Sequence, residues 1–161
     1  MKVKIIDENN IIVFFNTDII DNNLNNKDRL EEIIKDIIDK INKIYNLNIY
    51  GYYNVDIYHD KHYGLVIKFI KEIIDYVDYE KGEIDLRIKV HERTFLYKIN
   101  NIFNLNIDSC IYKYKNNYYL KINNIEKTKL SLLLELSELI YDNTNIIINN
   151  ANILQNKSYV I

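Results

Sequence analysis

The run from Cys110 to Tyr141, CIYKYKNNYYLKINNIEKTKLSLLLELSELIY, constrains the fold more than any other stretch. Its first part alternates about Asn116-Asn117, and Asn tolerates the positive φ that both centres of a tight hairpin turn need. The spacing predicts a hairpin in which Lys115 faces Tyr118, Tyr114 faces Tyr119, Lys113 faces Leu120 and Ile111 faces Ile122. Its second part predicts a helix. Leu132, Leu136, Leu139 and Ile140 recur at helical spacing beside Leu133, and Ser131, Glu135, Glu138 and Asp142 recur on the opposite side. That is a buried stripe with a solvated back. A helix of this kind buries its stripe against a sheet, so the unit is α+β.

The first half carries the same grammar. Lys2 to Ile6 and Ile11 to Phe15 predict a hairpin around Asp7 to Asn10, followed by a polar loop over residues 16 to 27. Leu30, Ile33, Ile34, Ile37, Ile38, Ile41, Ile44 and Tyr45 then form a long amphipathic stripe. Asp28, three residues before Glu31, resembles a capping box. Acid-before-base pairs such as Glu31-Lys35 add a few tenths of a kcal/mol each. After Gly51, alternation over Tyr53, Val55 and Ile57 and over Leu65, Ile67 and Phe69 predicts a second hairpin, turning at Asp60 to Gly64.

Glu72 to Asp85 holds six carboxylates and one Lys, and reads as a solvated acidic connection. Beyond it Ile84, Leu86, Ile88 and Val90 alternate with charged residues in a half-buried strand, with Thr94 to Ile99 as its neighbour. Asn100 to Asn106 has room for no more than a helical turn. Asn145 to Ile148 and Tyr159 to Ile161 predict two closing strands. The expected architecture is two small α+β units, each of antiparallel strands on one amphipathic helix in the order hairpin, helix, hairpin. An N-terminal unit spans 1–72, an acidic linker 73–83 and a C-terminal unit 84–161. One merged sheet is the alternative.

Composition narrows the chemistry. The 161 residues carry a net charge of −2, which disfavours general binding to nucleic acid or anionic lipid. The longest apolar runs are too short to span a bilayer, and the N-terminus lacks the h-region of a signal peptide. One Cys precludes an internal disulfide and suits a cytoplasmic setting. Pro and Trp are absent while Ile, Asn and Lys abound, as A/T-rich coding produces; Asn takes the turn positions that Gly usually fills.

No catalytic motif emerges. Three glycines cannot assemble a phosphate-cradling loop or a dinucleotide fingerprint. His59 and His62, near Asp56 and Asp60, have ligand chemistry, yet a solvated turn explains them better than a metal. His91 lies on the polar side of its strand. Cys110 opens a strand without a flanking motif and reads as a small buried hydrophobe. The expected catalytic, cofactor and metal sites are therefore none. Tyr112, Tyr114, Tyr119 and Lys121 share one hairpin face, but Lys113 and Lys115 point the other way, which splits a basic patch and favours a protein partner over nucleic acid.

Several stretches together resemble a known family. They are Phe95 to Phe103, the Tyr-Tyr-Leu hairpin of Ile111 to Leu120, the Leu-rich Leu130 to Ser137, and the close Lys157 to Ile161. In that order they resemble the C-terminal domain of MecA-type adaptor proteins. Met1 to Phe14 and Gly64 to Ile67 resemble the opening and closing strands of that family's N-terminal domain. The chain departs from the family pattern at Asn100 and Asn101, where the family is acidic, and at Asn116 and Asn156, where it has glycine. The resemblance implies a bacterial, non-enzymatic adaptor that holds target proteins with one domain and docks on a Clp-type AAA+ unfoldase with the other, restraining competence and sporulation regulators.

The expected function is thus an adaptor of regulated proteolysis. Its partners are an unfoldase and protein substrates, not nucleic acid or membrane. The expected partner-binding residues are Tyr112, Tyr114, Tyr119, Glu135 and Glu138. The alternative is a structural or self-associating domain whose exposed strands pair between copies.

Overall fold

A computed structural model describes residues 1–7, 9–15, 26–75, 77–100 and 107–156. Among them the chain is α+β, mostly strand, with two five-stranded sheets and three helices. It divides into two compact units. The first comprises Met1–Ile57 and Gly64–His91, and the second Tyr58–Tyr63 and Glu92–Ile161.

The first unit opens with the expected hairpin, β1 (Lys2–Asp7) and β2 (Asn10–Phe15), paired antiparallel. Asp7 Oδ1 accepts from the Asn9 N–H at 2.8 Å and fixes the turn. Helix α1 (Lys27–Tyr45) follows, then β3 (Gly51–Asp60), β4 (Gly64–Glu72) and β5 (Ile84–Glu92), in the sheet order β1-β2-β4-β3-β5. The stripe of α1 folds as its spacing dictates. Leu30, Ile34, Ile37, Ile38 and Ile41 are buried against Ile11, Val13, Tyr53, Val55, Ile57, Leu65, Ile67 and Phe69. The cap differs from the expected one: Asn26, not Asp28, accepts from the Arg29 N–H at 3.1 Å. Ile44 and Tyr45 at the far end of the stripe are exposed. Asn46 ends the helix at φ 52°, the left-handed position that Asn tolerates.

The expected linker is not a boundary. Strand β5 lies beside β3 in the first sheet, so residues 73–83 connect two strands of one unit, and the division falls near residue 92. The connection is tied down by Gly51 N–H donating to Glu83 O at 2.8 Å and by Tyr79 Oη donating to Asp85 Oδ2 at 2.9 Å. Ile84, Leu86 and Ile88 turn inward as the alternation requires, and complete this core from an edge.

The second unit contains β6 (Leu96–Ile99), β7 (Asp108–Tyr114), β8 (Asn117–Asn124), α2 (Lys127–Leu136), β9 (Ser137–Ile140), α3 (Thr144–Asn150) and β10 (Asn152–Asn156). The sheet order is β10-β7-β8-β6-β9, and its four pairings are all antiparallel. Strand β6 therefore joins this sheet and does not pair with β5.

Three local expectations are corrected here. The β7–β8 hairpin turns at Lys115-Asn116, with φ 46° and 61°, rather than at Asn116-Asn117. Tyr112 consequently faces Tyr119, Lys113 faces Tyr118 and Ile111 faces Leu120. Moving the turn by one residue shifts the pairing by two, an even number, so Tyr112, Tyr114, Tyr119 and Lys121 stay on one face.

The Leu-rich helix ends at Leu136, and Ser137–Ile140 forms strand β9 instead of its last turns. The reason is nonlocal. Leu96, Tyr97 and Ile99 of β6 are almost wholly buried, so the backbone groups on its outer edge require partners, and β9 supplies them. Asn145 to Ile148 is helical rather than extended. Thr144, Ile147, Ile148 and Ala151 recur at i, i+3, i+4 and i+7, and that stripe lies on the sheet, overriding the strand preference of three consecutive Ile. The expected strand Tyr159 to Ile161, and all but Asn100 of the expected turn over Asn100 to Asn106, fall outside the described residues.

Both faces of the second sheet are thus covered. Tyr97, Ile99, Ile111, Leu120 and Ile122 pack under Leu130 and Leu133 of α2. Leu96, Tyr112 and Tyr119 pack under Ile147 of α3. A unit organised as hairpin, helix, hairpin would need one helix; this one has two.

Candidate functional site

The five expected partner-binding residues do not share a surface. Tyr112 and Tyr119 are register partners, and both are buried where α3 covers the sheet. Burial raises the Tyr112 hydroxyl above its ordinary pKa, with the nearby Cys110 thiol adding to the effect. Tyr114 is half-buried on the same face. Glu138, in β9 rather than a helix, also lies on that side, with its carboxylate 3.4 Å from Lys98 Nζ. Glu135 is exposed on α2, which covers the opposite face.

What α2 exposes was not legible in its spacing. Leu130 and Leu133 take the buried positions, leaving Leu132 and Leu136 exposed, 43% each, on either side of Glu135. The Leu-rich run offers two overlapping stripes, and only the position of the sheet decides which is buried. The result is an exposed apolar pair with an acid on its flank.

A second cluster forms around the turn after β3. Asp60 is buried, and its charge is met by three backbone N–H groups. Oδ1 accepts from His62 at 2.8 Å and Tyr63 at 3.0 Å, and Oδ2 accepts from Phe95 at 2.9 Å. Arg93 N–H donates to His59 O at 3.0 Å. These bonds strap the chain ahead of β6 to residues more than thirty positions earlier. Three charge-assisted bonds are what a buried carboxylate needs to be tolerated at all. Beneath the strap, Tyr63 and Phe95 rings lie 5.7 Å apart, and Tyr141 contacts both Phe95 and Tyr58. Burial pushes the Tyr63 hydroxyl up to about 12. Tyr97 is pushed up further by burial, aided by the negative charge of Asp60, and its Oη has no hydrogen-bond partner among the described residues.

The strap leaves a groove of about 620 Å³, whose walls include His59, Lys61, His62, Arg93, Thr94 and Lys121. Its basic residues come from three segments with no local relation, so no motif could announce them. Among the described residues, no three side chains of His, Cys, Asp or Glu converge as metal ligands. His91 Nε2 contacts Asp56 Oδ1 at 2.8 Å in the first unit, both half-buried, which positions a histidine without supplying a nucleophile. Cys110 sits in the cluster under α3 beside Tyr112. No described helix is long and apolar enough to cross a membrane. No protein-family model, curated protein or solved structure matches the chain.

Proposed function

We propose that the protein is a non-enzymatic adaptor that binds target proteins and delivers them to a Clp-type AAA+ unfoldase. The observation that carries this reading is the exposed ridge Leu132–Glu135–Leu136 on α2. Two leucines one turn apart are suitable anchors for a groove on a partner, and the carboxylate beside them favours a basic rim. Glu135 remains in the docking set proposed from sequence, while Tyr112 and Tyr119 act from beneath by holding α3. The order of sequence segments that resembles MecA-type adaptors supports the same reading, as does the division into two units, one for the unfoldase and one for substrates. Cytoplasmic location in a bacterium belongs to this proposal.

The test is calorimetric titration of the full chain against the isolated N-terminal domain of a Clp-type unfoldase. Saturable binding that is lost on combining Leu132→Asp with Leu136→Asp, with the far-ultraviolet circular dichroism unchanged, is the expected result. Wild-type protein that gives no heat at the solubility limit overturns the reading.

Self-association is a second reading with its own observation. Ile5 and Ile6 in β1, and Ile153 and Leu154 in β10, are exposed on edge strands, where unpaired backbone groups can add a strand from another copy. Sedimentation showing a monomer at millimolar concentration removes it.

A further inference from the structure

We infer that the groove beside the Asp60 turn is a binding site for a phosphate monoester. Three permanent cations, Lys61, Arg93 and Lys121, line one concavity in a chain whose overall charge is negative. None of the three is in an ion pair with a described carboxylate. Two carboxylates, Asp60 and Glu92, share the groove with these three cations, so positive charge is in excess there. Asp60 has both oxygens committed to the backbone N–H groups of His62, Tyr63 and Phe95, and Glu92 is exposed. Cations in excess of the carboxylates beside them repel one another, which is a standing cost that a bound anion relieves.

The arrangement suits phosphate better than a carboxylate. A carboxylate has one charge and two oxygens, too few for three cations on three separate segments. A phosphate monoester has up to two charges and three terminal oxygens, and the guanidinium of Arg93 presents a planar fork that matches two of them. Thr94 adds a neutral donor to the same lining. His62 supplies a further sign of an unmet partner. It lines the groove, and its Nε2 is buried without a hydrogen bond among the described residues. The clamp from Asp60 to Phe95, together with Arg93 N–H on His59 O, holds the walls in place before any ligand arrives. Preorganisation of this kind lowers the ordering cost of binding. The volume of about 620 Å³ exceeds that of the phosphate group alone, leaving room for the rest of the ester.

The phosphate has two sources of the same chemistry: a free small ester, or a phosphorylated side chain on another protein. The experiment titrates the full-length protein with inorganic phosphate, glycerol 3-phosphate and acetylated phosphoserine amide, following backbone amide shifts by NMR, with acetylated serine amide as control. The expected result is saturable shifts confined to residues 59–63, 92–94 and 121–123 for all three phosphates and none for the control. Raised salt weakens the binding. Arg93→Gln weakens it roughly tenfold, as loss of a charge-assisted pair requires. Lys61→Gln, an exposed turn position whose substitution leaves the core intact, weakens it several-fold, and Lys40→Gln on α1 leaves it unchanged. Tighter binding of glycerol 3-phosphate assigns the site to a free ester, and tighter binding of the phosphoserine amide assigns it to a phosphorylated side chain. Absence of saturable shifts overturns the inference. So does equal weakening by Lys61→Gln and Lys40→Gln, which would mark general attraction to surface lysines.

Discussion

The two units solve one problem in different ways. In the first, a single helix of 19 residues covers one face of a five-stranded sheet and contributes five buried side chains to one core. In the second, helices of 10 and 7 residues cover opposite faces, and each contributes one or two buried residues to a separate small core. A long helix carries its own specification, because its period repeats over several turns. Short helices are specified by the surface they land on, and in the second unit that surface is further held by a buried carboxylate from an earlier hairpin. The lesson concerns where stability is concentrated: along one stripe in the first unit, and at a few joints in the second.

The largest expected effect tests that contrast at the helices. Ile34→Ala, at a fully buried position in the middle of α1, is expected to lower the unfolding free energy by about 2–5 kcal/mol. Ile147→Ala on α3, whose site is slightly open to solvent, is expected to cost about half as much. Denaturant melts of the two variants provide the measurement. Equal losses would make α3 as central to its sheet as α1 is, and would break the comparison.

The next effect concerns the joint. Asp60→Ala leaves the buried N–H groups of Tyr63 and Phe95 without an acceptor and is expected to cost about 2–4 kcal/mol. Hydrogen exchange should show lost protection at Phe95 and its neighbours in β6, with α1 unaffected. Uniform loss across both units would mean that the clamp serves the whole chain.

The smallest effect lies under the clamp. Tyr97→Phe removes a buried hydroxyl that has no partner among the described residues, so stability at neutral pH should change by no more than about 1 kcal/mol. Its sign at alkaline pH follows from linkage. Tyr63 and Tyr97 have folded pKa values above the ordinary value near 10, so the folded state keeps protons that the unfolded chain releases. The associated stability is fully present below pH 10, and declines as pH rises through about 12, where Tyr63 titrates in the fold. Tyr97→Phe should make that decline shallower. A large loss at neutral pH instead would reveal a hydrogen bond to the Tyr97 hydroxyl.

The sequence showed the first unit well and the second only in outline. The stripe of α1 and the alternation of β3 and β5 are local periodicities, and they survive folding. What β5 pairs with is a nonlocal fact, and the acidic composition of 73–83 suggested a linker where the chain makes a tethered crossing within one sheet. In the second unit, the apolar order of SELIY at Ser137 to Tyr141 continues a helical period, yet the unmet backbone edge of β6 draws it into a strand. Asn145 to Ile148 has strand composition and helical spacing, and spacing prevails because Ile147 and Ile148 have a surface to cover. The tyrosines of the β7–β8 hairpin were placed on the correct face, but which side of the sheet would be covered by α3 was not encoded near them. Lys61, Arg93 and Lys121 lie too far apart in sequence for any window to gather them.

Because Tyr58–Tyr63 belongs to the second unit although the strands on either side of it belong mainly to the first, neither unit is a continuous length of chain. A gene fragment starting at residue 92 would encode the later sheet without the aspartate that closes it. Recombination between relatives would therefore be expected to exchange these halves only in concert, and a nick or insertion between Tyr58 and Tyr63 should be felt most by residues encoded far downstream.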